Sequence, residues 1–155
     1  MPLHAPPHYI CPFCLLVQSI ENEHVYSVQA DILYQDAMVT AFMSSHQVAT
    51  CVGNVLVIPN QHFENLYELP TALATDLHRV VKAVALAQKA AFGCAGVSTR
   101  QHNEPAGNQD VWHYHIHVTP RYQDDGLYGM RGQLMPPEER LRYTNRLKPY
   151  LNVER

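Results

Sequence analysis

The stretch "VWHYHIHVTP", Val111 to Pro120, constrains the chain more than any other. From Trp112 to Val118 bulky apolar residues alternate with histidines, which is the period of a strand and not of a helix. A strand here turns Trp112, Tyr114, Ile116 and Val118 to one face and His113, His115 and His117 to the other. Neighbouring imidazoles then stand about 7 Å apart along the backbone, two residues at roughly 3.3 Å each, so they can grip a phosphate or a metal without touching one another. The apolar face demands a packed layer. The histidine face implies something specific outside it, because histidine is not a strand-favoured residue and a merely solvated face has no reason to repeat it.

The flanking sequence supplies that layer. After a proline-rich arm over residues 1–10, "ILYQD" and "MVTAFMS" read as short strands around the turn-like "QDA", and "NVLVIP" as a third, nearly all apolar and hence buried. From Thr71 to Phe92 the period becomes helical. Leu73, Leu77, Val80, Val81, Val84 and Ala87 share a face opposite Arg79, Lys82 and Lys89, and Gly93 suits a C-cap. "GVSTRQHN" and the histidine strand enclose the turn-rich "EPAGNQD", and "PPEERLRYTNRL" predicts a short helix in the tail. Strands on both sides of one long helix predict an α+β domain with an antiparallel sheet.

A chain of 155 residues, 46 % apolar and without repeats, fits one domain with its own core. A net charge of −3 argues against general nucleic-acid binding. No apolar stretch approaches the roughly 20 residues of a membrane span, and "MPLHAPPHYI" has the features of no signal peptide, so a soluble cytoplasmic protein is expected. Four cysteines (11, 14, 51 and 94) are too few for a disulfide scaffold.

Cys11-Pro-Phe-Cys14 is either half of a zinc site or a redox dithiol. A redox pair of the glutaredoxin kind should follow a strand and open an amphipathic helix, whereas "HAPPHYI" precedes this one and "LLVQSIENEH" does not sustain a long helical period. The histidine row has metal readings of its own. "GNQDVWHYH" opens like a cupin motif, but Thr119 and Pro120 stand where a cupin needs a glutamate, and the long helix is out of place in such a barrel. A catalytic site of three histidines on zinc remains open, although it leaves Cys11 and Cys14 without a role.

His113-Tyr114-His115-Ile116-His117-Val118 resembles the His-φ-His-φ-His-φ signature of the histidine triad family. "NVLVIPNQHFENLYELP" is similar to that family's strand, proline and histidine ahead of its long helix, and "NEPAGNQDVWHYHIHVTPR" continues the likeness through a loop into the triad. The resemblance spans residues 11–121, with 1–10 as an arm and 122–155 as a tail carrying a short helix. It implies a five-stranded antiparallel sheet with one long and one or more short helices, the sheet extended across a homodimer. It implies a structural zinc on Cys11, Cys14, His62 and His113, and a nucleophile at His115 that attacks the α-phosphate of a nucleoside phosphate derivative, a phosphoramidate, a dinucleoside polyphosphate or a nucleotide-sugar. His117 is the expected phosphate donor. The N–H groups of Gly107, Asn108, Gln109 and Asp110 form a nest in this reading, with Asn103, Arg121 and Ser44 as further substrate contacts.

Several positions depart from the family's commonest pattern. Asn108-Gln109 replaces Gly-Gln, and Asp110 replaces a serine or threonine. Asn54 replaces a histidine, and Ser44, Ser45 and His46 stand where an aspartate often meets the ribose. Three functions follow: a hydrolase or nucleotidyltransferase, which the intact triad favours; a non-catalytic nucleotide-binding or zinc-stabilised interaction module, which Asp110 and Asn54 favour; and a redox protein using Cys11 and Cys14.

Overall fold

Alternation along each central strand divides the molecule into two cores. In the computed structural model, which describes residues 3–154, the chain runs through α1 (Pro12–Val17), β1 (Ile32–Gln35), β2 (Val39–Met43), β3 (His46–Gln47), β4 (Val55–Pro59), α2 (Thr71–Phe92), β5 (Gly96–Gln101), β6 (Ile116–Arg121), β7 (Gln133–Leu134) and α3 (Pro137–Leu147). Five strands form one antiparallel sheet in the order β1-β2-β4-β6-β5. Val39, Ala41, Met43, Val55, Val57, Ile116 and Val118 face α2, whose Leu73, Leu77, Val80, Val84 and Ala87 complete the larger core. Phe42, Leu56 and Ile58 face the other way and pack on Cys11, Phe13 and Leu16 of the N-terminal segment. Each fully buried Val, Leu or Ile contributes about 1.5–3 kcal/mol.

The long helix has the expected limits, and Gly93 closes it at φ 62° with its N–H bonded to the Lys89 carbonyl. Buried Gln88 ties the helix to the sheet, donating to the carbonyls of Gly53 (2.9 Å) and Val118 (2.8 Å). Gly53 has φ +118° and lies so close to Phe92 that a Cβ would come within 2.6 Å of its ring. In the tail, buried Arg140 of α3 pairs with Asp31 at 2.9 Å and donates to the Tyr26 carbonyl at 2.8 Å.

Three features differ from the sequence expectation. The histidine strand is shorter: β6 starts at Ile116, and His113 to His115 lie in the segment leading into it. Cys11-Pro-Phe-Cys14 opens a six-residue helix, capped by the Cys11 Sγ accepting from the Cys14 N–H at 3.4 Å. A two-stranded ribbon of β3 and β7, His46↔Leu134 and Gln47↔Gln133, was not anticipated. The first two residues of the arm and the last of the tail lie outside the described residues. No helix among those described is long and apolar enough to cross a membrane.

Candidate active site

Backbone bonds set the histidine row before the strand begins. The Tyr114 N–H donates to the Phe63 carbonyl at 2.6 Å and the His113 N–H to that of Val111 at 2.8 Å, so Tyr114 enters the α2-side core while His113 and His115 turn the other way. Each ring then meets a partner that fixes its tautomer. His113 Nε2 lies 2.9 Å from the Pro59 carbonyl and His115 Nδ1 lies 2.7 Å from the His113 carbonyl. A carbonyl only accepts, so both of those nitrogens carry the proton. The free lone pairs are therefore at His113 Nδ1 and His115 Nε2. For His117 the chain is longer: Thr119 Oγ1 donates to Asn54 Oδ1 (3.0 Å), and Asn54 Nδ2 faces His117 Nδ1 at 3.3 Å. An amide N–H donates, so His117 Nδ1 accepts and its Nε2 keeps the proton.

Burial keeps His115 and His117 neutral. Burial pushes His115 below the usual histidine range, against the opposing pull of its bond to the His113 carbonyl and the charge of Asp110. Burial also pushes His117 down to about 3, aided by the charges of His115, Arg100 and His102. Asp110 Oδ1 is 3.8 Å from His115 Nε2, on a side chain that is 83 % exposed.

At the start of the row four ligand atoms converge. Cys11 Sγ is 3.3 Å and Cys14 Sγ 3.6 Å from His113 Nδ1, and Cys14 Sγ is 3.3 Å from His62 Nδ1. All four ligand atoms lie within 4.8 Å of one another. A tetrahedron with two thiolates and two imidazoles has edges of about 3.3–3.8 Å, so the set fits a metal ion, and the lone pair of His113 already points into it. The hydrogen bond from Cys14, then those from His113 and His62, hold the Cys11 thiol far below its ordinary range, while the same bond and burial push Cys14 up. A cation at the centre would hold both as thiolates.

His115 and His117 line a cavity of about 500 Å³. Ser44, Asn54, Arg100 and Asp110 share its walls. The other expected contacts are engaged elsewhere. Asn103 accepts from the Leu66 N–H at 2.8 Å and exchanges bonds with the Gln101 amide, and buried Gln109 bonds the Glu104 N–H (2.8 Å) and the Glu64 carbonyl (2.6 Å). Both brace the loop. Gly107 ends a single 3-10 turn and Asn108 caps it at φ 66°; neither lines the cavity. Arg121 is turned to the sheet's far end, where Asp125 grips it with both oxygens at 2.7 Å.

Two residues escaped the sequence reading. Arg100 stands directly across from His117 in the β5–β6 register, and the His102 ring lies 5.9 Å from that of His117. Their signal was the alternation of "STRQH" set against the triad, which needs the strand register to be read.

A five-stranded antiparallel sheet under one long helix, with a histidine row over a cavity and a Cys₂His₂ cluster at its head, is the architecture of the histidine triad class. The chain belongs to the HIT domain family, which matches residues 26–124. A relative from Bacillus subtilis, protein hit, is 34 % identical over 118 residues, covering 76 % of this chain and 75 % of that one. The structure of a zinc-bound histidine triad family protein from Mycobacterium smegmatis aligns with a TM-score of 0.73 at 25 % identity, over 91 % of this chain and 92 % of that one. Adenylylsulfatase HINT3 from Arabidopsis thaliana is 28 % identical over 96 residues, 62 % of this chain and 48 % of its own length.

Proposed function

We propose that the protein is a nucleotide hydrolase or nucleotidyltransferase that cuts at the α-phosphate of a nucleoside phosphate derivative. One observation carries this reading: His115 is locked by the His113 carbonyl with Nδ1 protonated, leaving its Nε2 lone pair at the cavity wall. That nitrogen attacks phosphorus, the bond to the leaving group breaks with its electron pair, and a nucleotidyl-histidine forms. Water then attacks the same phosphorus, the P–N bond breaks and the lone pair returns to His115. His117, neutral and protonated at Nε2, donates to a non-bridging oxygen, for which Asn54 and Thr119 hold its ring. Phe13, Val25 and Leu56 offer the base an apolar wall and Ser44 offers the ribose a hydroxyl.

Cys11, Cys14, His62 and His113 hold zinc in this reading. With four protein ligands it is a structural ion that secures the N-terminal segment and the angle of His113. The molecule is a homodimer that joins two sheets, and its four free cysteines suit a reducing cytoplasm.

The test is turnover of a panel of nucleoside phosphoramidates, dinucleoside polyphosphates and other α-phosphate derivatives by the protein and by His115→Asn. The protein should hydrolyse at least one of them and, on quenching, yield an acid-labile adduct on His115. The variant should lose several orders of magnitude in kcat while still binding nucleotide, roughly the effect of deleting a nucleophile. No turnover with intact binding would move the reading to a binding module.

A further inference from the structure

We infer that the leaving group this site is built to release is a tetrahedral oxyanion, phosphate or sulfate, bound by Arg100; the inference rests on the hydrolase reading above.

The strand order lays the cavity out in a line. Ser44 follows β2, Asn54 precedes β4 and Leu56 lies on it, His115 and His117 belong to the β6 segment, and Arg100 lies on β5. Neighbouring strands are about 4.8 Å apart, so Arg100 stands one strand beyond the triad, on the side away from Ser44. The two sides differ in chemistry. Phe13, Val25, Leu56 and the Ser44 hydroxyl suit a nucleoside, whereas the β5 side presents a guanidinium. With the α-phosphate over His115 and the nucleoside on the apolar side, the leaving group departs in line, opposite the attacking nitrogen, and the long Arg100 side chain rises in the wall beside that path.

Arg100 is held ready and unspent. Its Nε is buried without a hydrogen-bond partner, and it forms no ion pair among the described residues. Asp125 is committed elsewhere, with both oxygens on Arg121. Arg100 and Arg121 lie against the Tyr128 ring, 5.6 and 4.9 Å from its centroid, so the aromatic face positions Arg100 without neutralising it. Asp110, 3.8 Å from the attacking nitrogen, repels an approaching anion, and a cation in the same wall offsets that charge. Arg131 also lines the cavity but is exposed on the loop before β7. When the P–O bond breaks, the electron pair stays on the leaving oxygen, and the planar guanidinium fork matches that oxyanion in shape and sign. A neutral amine offers Arg100 no such oxyanion at the leaving position.

The experiment compares kcat/KM for one adenosine 5′-phosphate series with three leaving groups, a phosphate chain, sulfate and an uncharged amine, in the unmodified protein, Arg100→Gln and Arg100→Lys. Loss of a charged hydrogen bond predicts that Arg100→Gln falls about tenfold to a hundredfold on phosphate or sulfate but less than about threefold on the amine, with Arg100→Lys between. A fall confined to the phosphate arm names a polyphosphate substrate, and one confined to the sulfate arm a nucleotide sulfate; either supports the inference. Equal losses on all three, or none, overturn it while leaving the hydrolase reading standing. Failure of the unmodified protein on all three overturns the hydrolase reading itself and the inference with it.

Discussion

Each ring of the triad is distinguished by what its second nitrogen touches, and this detail gives three chemically identical side chains different free nitrogens, on which the proposed roles of metal ligand, nucleophile and donor rest. The row itself was legible, because period-two alternation exposes it. The roles were available in the sequence only through the family resemblance; the tautomers were not, because they depend on the carbonyls of Pro59 and His113 and on the Asn54 amide, none of which carries a sequence signal. Asn54, read from the sequence as a departure that weakens the enzyme, holds His117 in its donor tautomer. Asp110 is a departure with a cost. Two charges 4 Å apart in water interact by about 1 kcal/mol, so Asp110→Asn should tighten nucleoside monophosphate binding about fivefold at low salt, and the gain should shrink at high salt. Titration calorimetry at two ionic strengths checks it. His117 brings a pH dependence. Its folded pKa of about 3 lies below the unfolded value near 6.5, so between those limits the unfolded chain binds the extra proton. Stability therefore falls as pH drops through that window. His117→Asn should remove about one proton's worth of that slope, visible in melting temperatures compared from pH 7 to pH 4.

Elements were legible in proportion to their length. The 22 residues of α2 repeat their apolar face often enough to mark both ends, and the sheet strands carry solid apolar runs. By contrast, α1 is six residues and β3 and β7 are two each, too short for any period to register. The segment around α1 is organised by the contacts of Cys11 and Cys14 with His62 and His113 and by one buried face, Phe13 and Leu16, packed on Phe42. Cys11 belongs to this element twice, as N-cap and as a member of the Cys₂His₂ cluster that could hold a metal. Cys11→Ser keeps a capping oxygen but loses the thiolate. Metal analysis should show content falling from about one ion per chain to near zero, and the melting temperature should drop, since metal binding is linked to folding. The kcat of material that remains folded should change far less, because His115 takes its orientation from a backbone carbonyl. A kcat loss as large as that of His115→Asn would contradict a purely structural ion.

On the scale of the whole molecule, the sheet has one face under α2, another partly under α1, and two edges, and the edges differ. The outer strand β1 is four residues with an irregular register, a poor template for pairing. The opposite edge, β5, is a regular six-residue strand whose outer N–H and C=O groups meet no other strand among the described residues. Such an edge pairs readily with another chain unless it is covered, and a two-fold axis lets identical antiparallel strands cover each other with one self-complementary patch. The tail helix is held away from that edge, because Arg140 anchors it to Asp31 at the β1 end, where it braces Tyr26 in the cavity wall. Pairing through β5 would join two sheets into one of ten strands and bring a second subunit close to Arg100, so dimerisation and the anionic end of the site are expected to share a strand. Light scattering at micromolar concentration should give about twice the chain mass of 17.6 kDa, and the outward amides of residues 96–101 should exchange slowly despite their place at an edge. A mass of one chain together with fast exchange along β5 would show that the edge stands open and that the site is complete in a single subunit.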